Sequence, residues 1–198
     1  MRTLLAALTA LMLFATPVVA GDWEDGGAAF NASNYEKAFR LLKPFAEQGH
    51  AAVQAILGYM YTTGNGVPKD DAKAVYWYLK AAEQGNAKAQ ANFGGLYGQG
   101  VGVPKDAAKE VYWYRKAAEQ GVAQAQGNLG AMYHNGVGVP EDYVQAYAWS
   151  SIAAAQGRGM AKENKGEVKK VMTREQIAKG QELAAEYWKK YVLPFQEN

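Results

Sequence analysis

The stretch VGVPKDAAKEVYWYRKAAEQG, residues 101–121, decides the fold, because near copies stand 36 residues to either side of it. NGVPKDDAKAVYWYLKAAEQG ends at Gly85 and VGVPEDYVQAYAWSSIAAAQG ends at Gly157, with no residue gained or lost between copies. A Gln-Gly pair recurs at Gln48-Gly49, Gln84-Gly85, Gln120-Gly121 and Gln156-Gly157. Self-similarity at a fixed period of this size marks stacked supersecondary units, each burying its apolar face on its neighbours because one unit alone cannot enclose a core.

Each full unit, 50–85, 86–121 and 122–157, divides into two helical patterns. In the first, Leu57-Gly58 with Tyr61 recurs as Phe93-Gly94 with Tyr97 and as Leu129-Gly130 with Tyr133, placing a large apolar residue and an aromatic four apart on one face. Glycine inside a helix costs about 1 kcal/mol against alanine, so its return at one register position predicts a second helix crossing at close range. A Gly-x-Gly-Val-Pro turn follows, and Asp70, Asp106 and Asp142 stand where N-caps belong. The second pattern carries Ala74, Trp77, Tyr78 and Ala81, then Glu110, Trp113, Tyr114 and Ala117, then Ala146, Trp149, Ser150 and Ala153. That is the i, i+3, i+4, i+7 spacing of one buried stripe. Trp113, in the middle unit with neighbours on both sides, is expected to be a buried indole. The fold class is therefore all-α: a right-handed superhelical α-solenoid of antiparallel helix pairs.

The ends differ. Residues 1–20 carry Arg2, an apolar run from Leu4 to Phe14, and a small-residue ending at Val18-Val19-Ala20, the pattern of a cleaved secretory signal peptide. A membrane span wants about 20 apolar residues, and Pro17 interrupts this run early. The mature chain would start at Gly21, in the periplasm or outside the cell. An incomplete unit spans 21–49, with Ser33-x-x-Glu36 as a capping box and a kink expected at Pro44. Capping helices are expected over 158–198. There the register fails, since Lys165-Gly166 stands where Leu-Gly belongs. A polar helix at about 160–170 and a final helix opened by the capping box Thr173-x-x-Gln176 would close the array.

Composition excludes several function classes. The chain has 21 Lys and Arg against 19 Asp and Glu, and loss of Arg2 with the leader would bring the formal charge from +2 to +1. Nucleic-acid binding needs basic residues clustered on one face, whereas here acidic residues are interleaved with them. The chain has no cysteine, so disulfides, thiolate metal sites and a thiol nucleophile are all absent.

The LG-x-x-Y, G-x-GV-x-x-D and W-x-x-KAA-x-QG series resembles the Sel-one-like repeat, a relative of the tetratricopeptide repeat. The ends NYEKAFRLLKPFAEQG (34–49) and DYVQAYAW (142–149) with MTREQI (172–177) look like those of exported bacterial members. The resemblance implies an all-helical scaffold that brings other proteins together. A subgroup with two cysteines per repeat binds or hydrolyses penicillin-type compounds. That makes a cell-wall-active or penicillin-binding repeat protein the alternative reading, although none of its cysteines is present. Glu110 also departs from the pattern, since the sister units have alanine.

No GxSxG, Ser-x-x-Lys, HExxH or Walker pattern occurs, so no catalytic residue is assigned and the reading is non-enzymatic. His50 and His134 lie in different units without a third ligand, and no metal or cofactor is expected. Glu110 is expected to bend towards water and pair with Lys73 or Lys109. The expected partner is a protein or peptide gripped by the concave face, with no nucleic acid and no membrane span, and with the oligomeric state open. With Leu57-Gly58 as the packing side, the groove-facing positions are Ala52, Tyr59, Thr62 and Thr63, then Lys88, Gly95, Gly98 and Gln99, then Gln124, Ala131, His134 and Asn135. The most informative are Tyr59, Thr62, Lys88, Gln99, Gln124, His134 and Asn135. The repeat core beneath them comprises Leu57, Gly58, Tyr61, Trp77, Phe93, Gly94, Tyr97, Trp113, Leu129, Gly130, Tyr133 and Trp149.

Overall fold

The computed structural model describes residues 20–196, so the expected leader lies, apart from Ala20, outside the described residues. Every regular element among them is helical. The first four are α1 (Ala20–Asn31), α2 (Tyr35–Glu47), α3 (Ala51–Thr63) and α4 (Asp71–Glu83). Then come α5 (Ala87–Gln99), α6 (Ala107–Ala118), α7 (Ala123–Asn135) and α8 (Tyr143–Ala155). α9 (Gly159–Val171), α10 (Arg174–Tyr191) and a 3₁₀ turn (Leu193–Phe195) complete the chain. From α1 to α9 each helix packs on the next in sequence order, which makes the all-helical solenoid of helix pairs that the repeat predicts.

Local chemistry starts and stops these helices. The carboxylates of Asp70, Asp106 and Asp142 each accept the backbone N–H three residues on, at 3.0 Å, and so cap α4, α6 and α8. In the preceding turn Gly66, Gly102 and Gly138 have φ of 73°, 67° and 70°. A side chain there would also strike the first residues of the preceding unit's second helix, at Tyr35, Asp71 and Ala107 respectively. Both the left-handed backbone and the close approach therefore require glycine.

The crossing glycines behave as their recurrence predicts. A Cβ on Gly58 would lie 2.7 Å from the ring of Tyr78, and one on Gly94 would lie 3.1 Å from that of Tyr114. Gly130 meets Ser150 at the same register. Leu57, Phe93, Leu129, Trp77 and Trp149 are buried beside them. Tyr61 and Tyr97 lie at the edge of the core, partly exposed, with the ammonium groups of Lys73 and Lys109 over their rings at 5.3 and 5.1 Å. Tyr133 is buried, with the Arg115 guanidinium 5.8 Å from its ring centre.

Three sequence expectations are corrected. Ser33 does not cap α2: it takes φ 58°, and Asn34 instead accepts the Lys37 N–H at 3.4 Å. Trp113 is only partly buried, packed on the edge of the cluster around Phe93. The register does not fail after Gly157. α9 begins 36 residues after α7 and ends 36 residues after it, so it is a further first helix whose packing side chains have changed. Ala161 keeps the buried register of Val53, Ala89 and Ala125. Helix α2 continues through Pro44, and the Thr173–Gln176 capping box closes with both bonds. α10 then lies along α8, where Tyr187 and Tyr191 cover Trp149 at ring separations of 4.4 and 5.6 Å.

Candidate binding groove

The first helices line one side of the solenoid. α3 approaches α5 and α7 approaches α9, whereas the second helices α4, α6 and α8 make at most marginal contact with one another. Successive first helices thus meet along that side at two of the joints. Between α7 and α9 it opens a cleft of about 550 Å³, floored by Gly127, Asn128, Ala131 and Asn164 and rimmed by Gln124, Arg158 and Met160. Met160 is 86% exposed, and Arg158 donates to Gln124 Oε1 at 3.3 Å.

The floor has a repeating polar pattern set by the second helices. Tyr78 reaches from α4 to the joint between α3 and α5, where the Asn92 amide donates to its hydroxyl at 3.3 Å. Burial pushes the Tyr78 phenol up to about 12, against hydrogen bonds with Thr62 and Asn92 that pull it down. Tyr114 repeats the arrangement with Asn128, and burial raises its pKa too, assisted by the charge of Glu110. At the third joint the chain changes residue but keeps the plan. Asn164 donates to Ser150 Oγ at 2.8 Å, and its carbonyl oxygen lies 2.8 Å from His134 Nδ1.

The residues expected to face the groove divide into three sets. Ala52, Thr63, Lys88, Gln99, Gln124 and Asn135 are exposed, as is Tyr59, whose ring packs edge-on against Phe30 at 5.9 Å. Gly95, Gly98 and Ala131 are half-buried. Thr62 and His134 turn down into the floor: the Thr62 hydroxyl donates to the Gly58 carbonyl at 2.8 Å, and the His134 ring is held by Asn164. Neither is a free side chain on the surface of the groove.

Glu110 corrects its expectation as well. Lys73 and Lys109 pair with Asp70 and Asp106 at 3.0 and 3.5 Å instead, and among the described residues no ion pair reaches Glu110. The carboxylate lies over Gly98, in the volume that a side chain at 98 would occupy. Burial raises its pKa, against the charge of Lys105.

Sequence reading missed the buried glutamines Gln54, Gln90 and Gln126, which are 2%, 3% and 0% exposed. Their side-chain amides donate at 3.0 Å to Ala46, Ala82 and Ala118, each in the preceding unit. Their 36-residue recurrence was the available signal.

The Sel1 repeat pattern matches residues 27–50, 51–86, 87–122 and 123–157. The chain belongs to the Sel1 repeat family. Sel1 repeats commonly act as protein-interaction scaffolds. A protective antigen of uropathogenic Escherichia coli strains that displays an SLR fold is similar at 38% identity and a TM-score of 0.75, over 82% of this chain and 35% of the antigen. A Sel1 repeat protein from Oxalobacter formigenes is similar at 41% identity and a TM-score of 0.67, over 71% of this chain and 58% of that one. The chain thus spans well under two thirds of either relative. A search of curated proteins finds no significant match. Among the described residues of this Sel1 repeat chain no helix is long and apolar enough to cross a membrane, and no cluster of His, Asp or Glu could hold a metal.

Proposed function

We propose that this Sel1 repeat chain is a non-enzymatic scaffold that binds a protein segment along the concave face of its first helices. One observation carries the reading. The residues that vary between units, Lys88, Gln99, Gln124 and Asn135 among them, are exposed on the first helices, with Gln124 at the rim of the α7–α9 cleft, while Leu57, Phe93 and Leu129 at the repeated positions are buried. A rigid scaffold with a variable inner surface suits recognition of an extended segment, because preorganisation lowers the entropy cost of binding. The double variant Lys88→Glu with Gln124→Glu should weaken capture of the native partner tenfold or more, about 1.4 kcal/mol, with helical content unchanged. Unaltered capture would place binding on the convex face or the ends.

Export to the periplasm belongs to the same proposal and rests on the pattern of residues 1–20. Intact-mass measurement of protein recovered from the periplasm should give a chain beginning at Gly21. A periplasmic species that retains Arg2 would refute the cleavage, and recovery from the cytoplasm alone would refute the export.

A further inference from the structure

Two register positions change together across the three full units. Units one and three pair a floor side chain with a small residue on the second helix: Thr62 with Ala74, and His134 with Ala146. The middle unit inverts this, pairing Gly98 with Glu110. A Cβ on Gly98 would overlap the Glu110 carboxylate, so the carboxylate occupies the space where the side chains of Thr62 and His134 begin at the same register. The three units therefore carry a hydroxyl, a carboxylate and an imidazole at or beside one register position.

The middle unit differs: only the charge of Lys105 acts on its carboxylate, and from beyond ion-pair distance. Thr62 is bonded to Gly58 and His134 to Asn164. Among the described residues the Glu110 carboxylate accepts no hydrogen bond and joins no ion pair, although it is half-buried. A half-buried carboxylate has lost part of its hydration and gains most from a cation that restores charge balance and donates hydrogen bonds. Gly95 stands where the first and third units have Tyr59 and Ala131, and a Cβ there would lie 3.4 Å from the Tyr114 hydroxyl, so only the phenol oxygen lies beneath it.

We propose that Glu110, presented in the groove through the gap left by Gly98 and beside the Tyr114 hydroxyl, receives an Arg or Lys side chain of the bound segment. This rests on the reading of the groove as the binding face and adds a chemical requirement on its occupant: a cationic residue opposite the middle repeat. The rival account is that Glu110 only fills the volume vacated at position 98. Glu110→Gln separates the two, because it keeps that volume and removes the charge.

The test is an NMR titration of the ¹⁵N-labelled chain with N-acetyl-arginine amide and, as a neutral probe of the same shape, N-acetyl-citrulline amide. Arginine should cause saturable shifts centred on the amides of Gly95, Gly98 and Tyr114, with citrulline binding roughly tenfold weaker or more. Glu110→Gln should remove the arginine response while leaving the far-ultraviolet helical signal intact. Equal responses to the two probes, shifts that survive in Glu110→Gln, or no response at these amides would overturn the proposal. Loss of partner binding in the Lys88 and Gln124 double variant would still uphold the groove in that event, so the two readings fail separately.

Discussion

Gln84, at the end of α4, donates its side-chain amide to Gln54 Oε1 at 2.7 Å, while Gln54 donates its own amide across the unit boundary to the Ala46 carbonyl. The relay recurs from Gln120 to Gln90 at 2.8 Å and from Gln156 to Gln126 at 2.6 Å. The glutamine of each Gln-Gly pair is thus one end of a hydrogen-bonded chain that joins the two helices of its own unit to the second helix of the unit before. Stacking between units is oriented by these bonds as well as by apolar area.

Gln90→Leu puts an apolar side chain of similar size in its place, breaks two of those bonds and leaves the Gln120 amide only its bond of 3.4 Å to the Lys116 carbonyl. The expected cost is roughly 1–3 kcal/mol, two hydrogen bonds at about 0.5–1.5 kcal/mol each. Urea unfolding followed by circular dichroism measures it, and an unchanged midpoint would show that the relay contributes nothing net.

Gly58 and Gly166 occupy the same register three periods apart, yet alanine should act on them with opposite sign. At Gly58 the new methyl would meet the buried Tyr78 ring at 2.7 Å, and overpacking of that kind costs about 1–3 kcal/mol. At Gly166 nothing lies within 4 Å of the place a methyl would take, so only the gain in helix propensity remains, about 0.5–1 kcal/mol. Thermal denaturation of both variants decides it, and a shift of the same sign in each would be contrary to this packing.

Trp149 is 3% exposed and covered by α10, whereas Trp113 is partly open to solvent. Trp149→Ala should therefore cost roughly 3–5 kcal/mol, and Trp113→Ala clearly less. Trp23, 40% exposed, should cost least of the three. Any other ranking of denaturation midpoints would mean that local relaxation outweighs burial.

Glu110 gives a pH signature. Burial raises its carboxyl above the ordinary value of 4.5, so the folded chain holds this proton to higher pH than the unfolded chain does. Between the two pKa values the native state binds more protons, and its stability falls as pH rises through that window. The cost of the charge is fully present above the folded pKa and absent below the unfolded one. Glu110→Gln should accordingly stabilise the chain more at about pH 7 than at about pH 4. A gain independent of pH would show that the carboxylate is fully hydrated.

The period, the two helices per unit, the aspartate caps and the crossing glycines were legible in the sequence because each is either local or repeated. A cap acts three residues away, and a helix crossing at Gly58 returns at Gly94 and Gly130. The exposure of Tyr59, Lys88, Gln99, Gln124 and Asn135 followed from helical spacing alone. Their differing engagement could not, since Thr62 is held by its own helix and His134 by Asn164 from the next unit.

Tertiary structure alone decided the remainder. Ser33 and Asn34 are both good caps, and the tight link between α1 and α2 gave the role to Asn34 by holding Ser33 at positive φ. α9 lost the Leu-Gly pair yet kept the 36-residue backbone step, because the exposed end of α8 offers the same docking surface as the second helices before it. α10 turned back onto α8, where Trp149 would otherwise lie open. Glu110 read alone is a charge on a buried stripe, and it becomes intelligible only against Gly98 on the neighbouring helix. Sequence fixes what lies along one helix; which volumes are shared between helices depends on how they cross, and no periodicity within one chain segment encodes that.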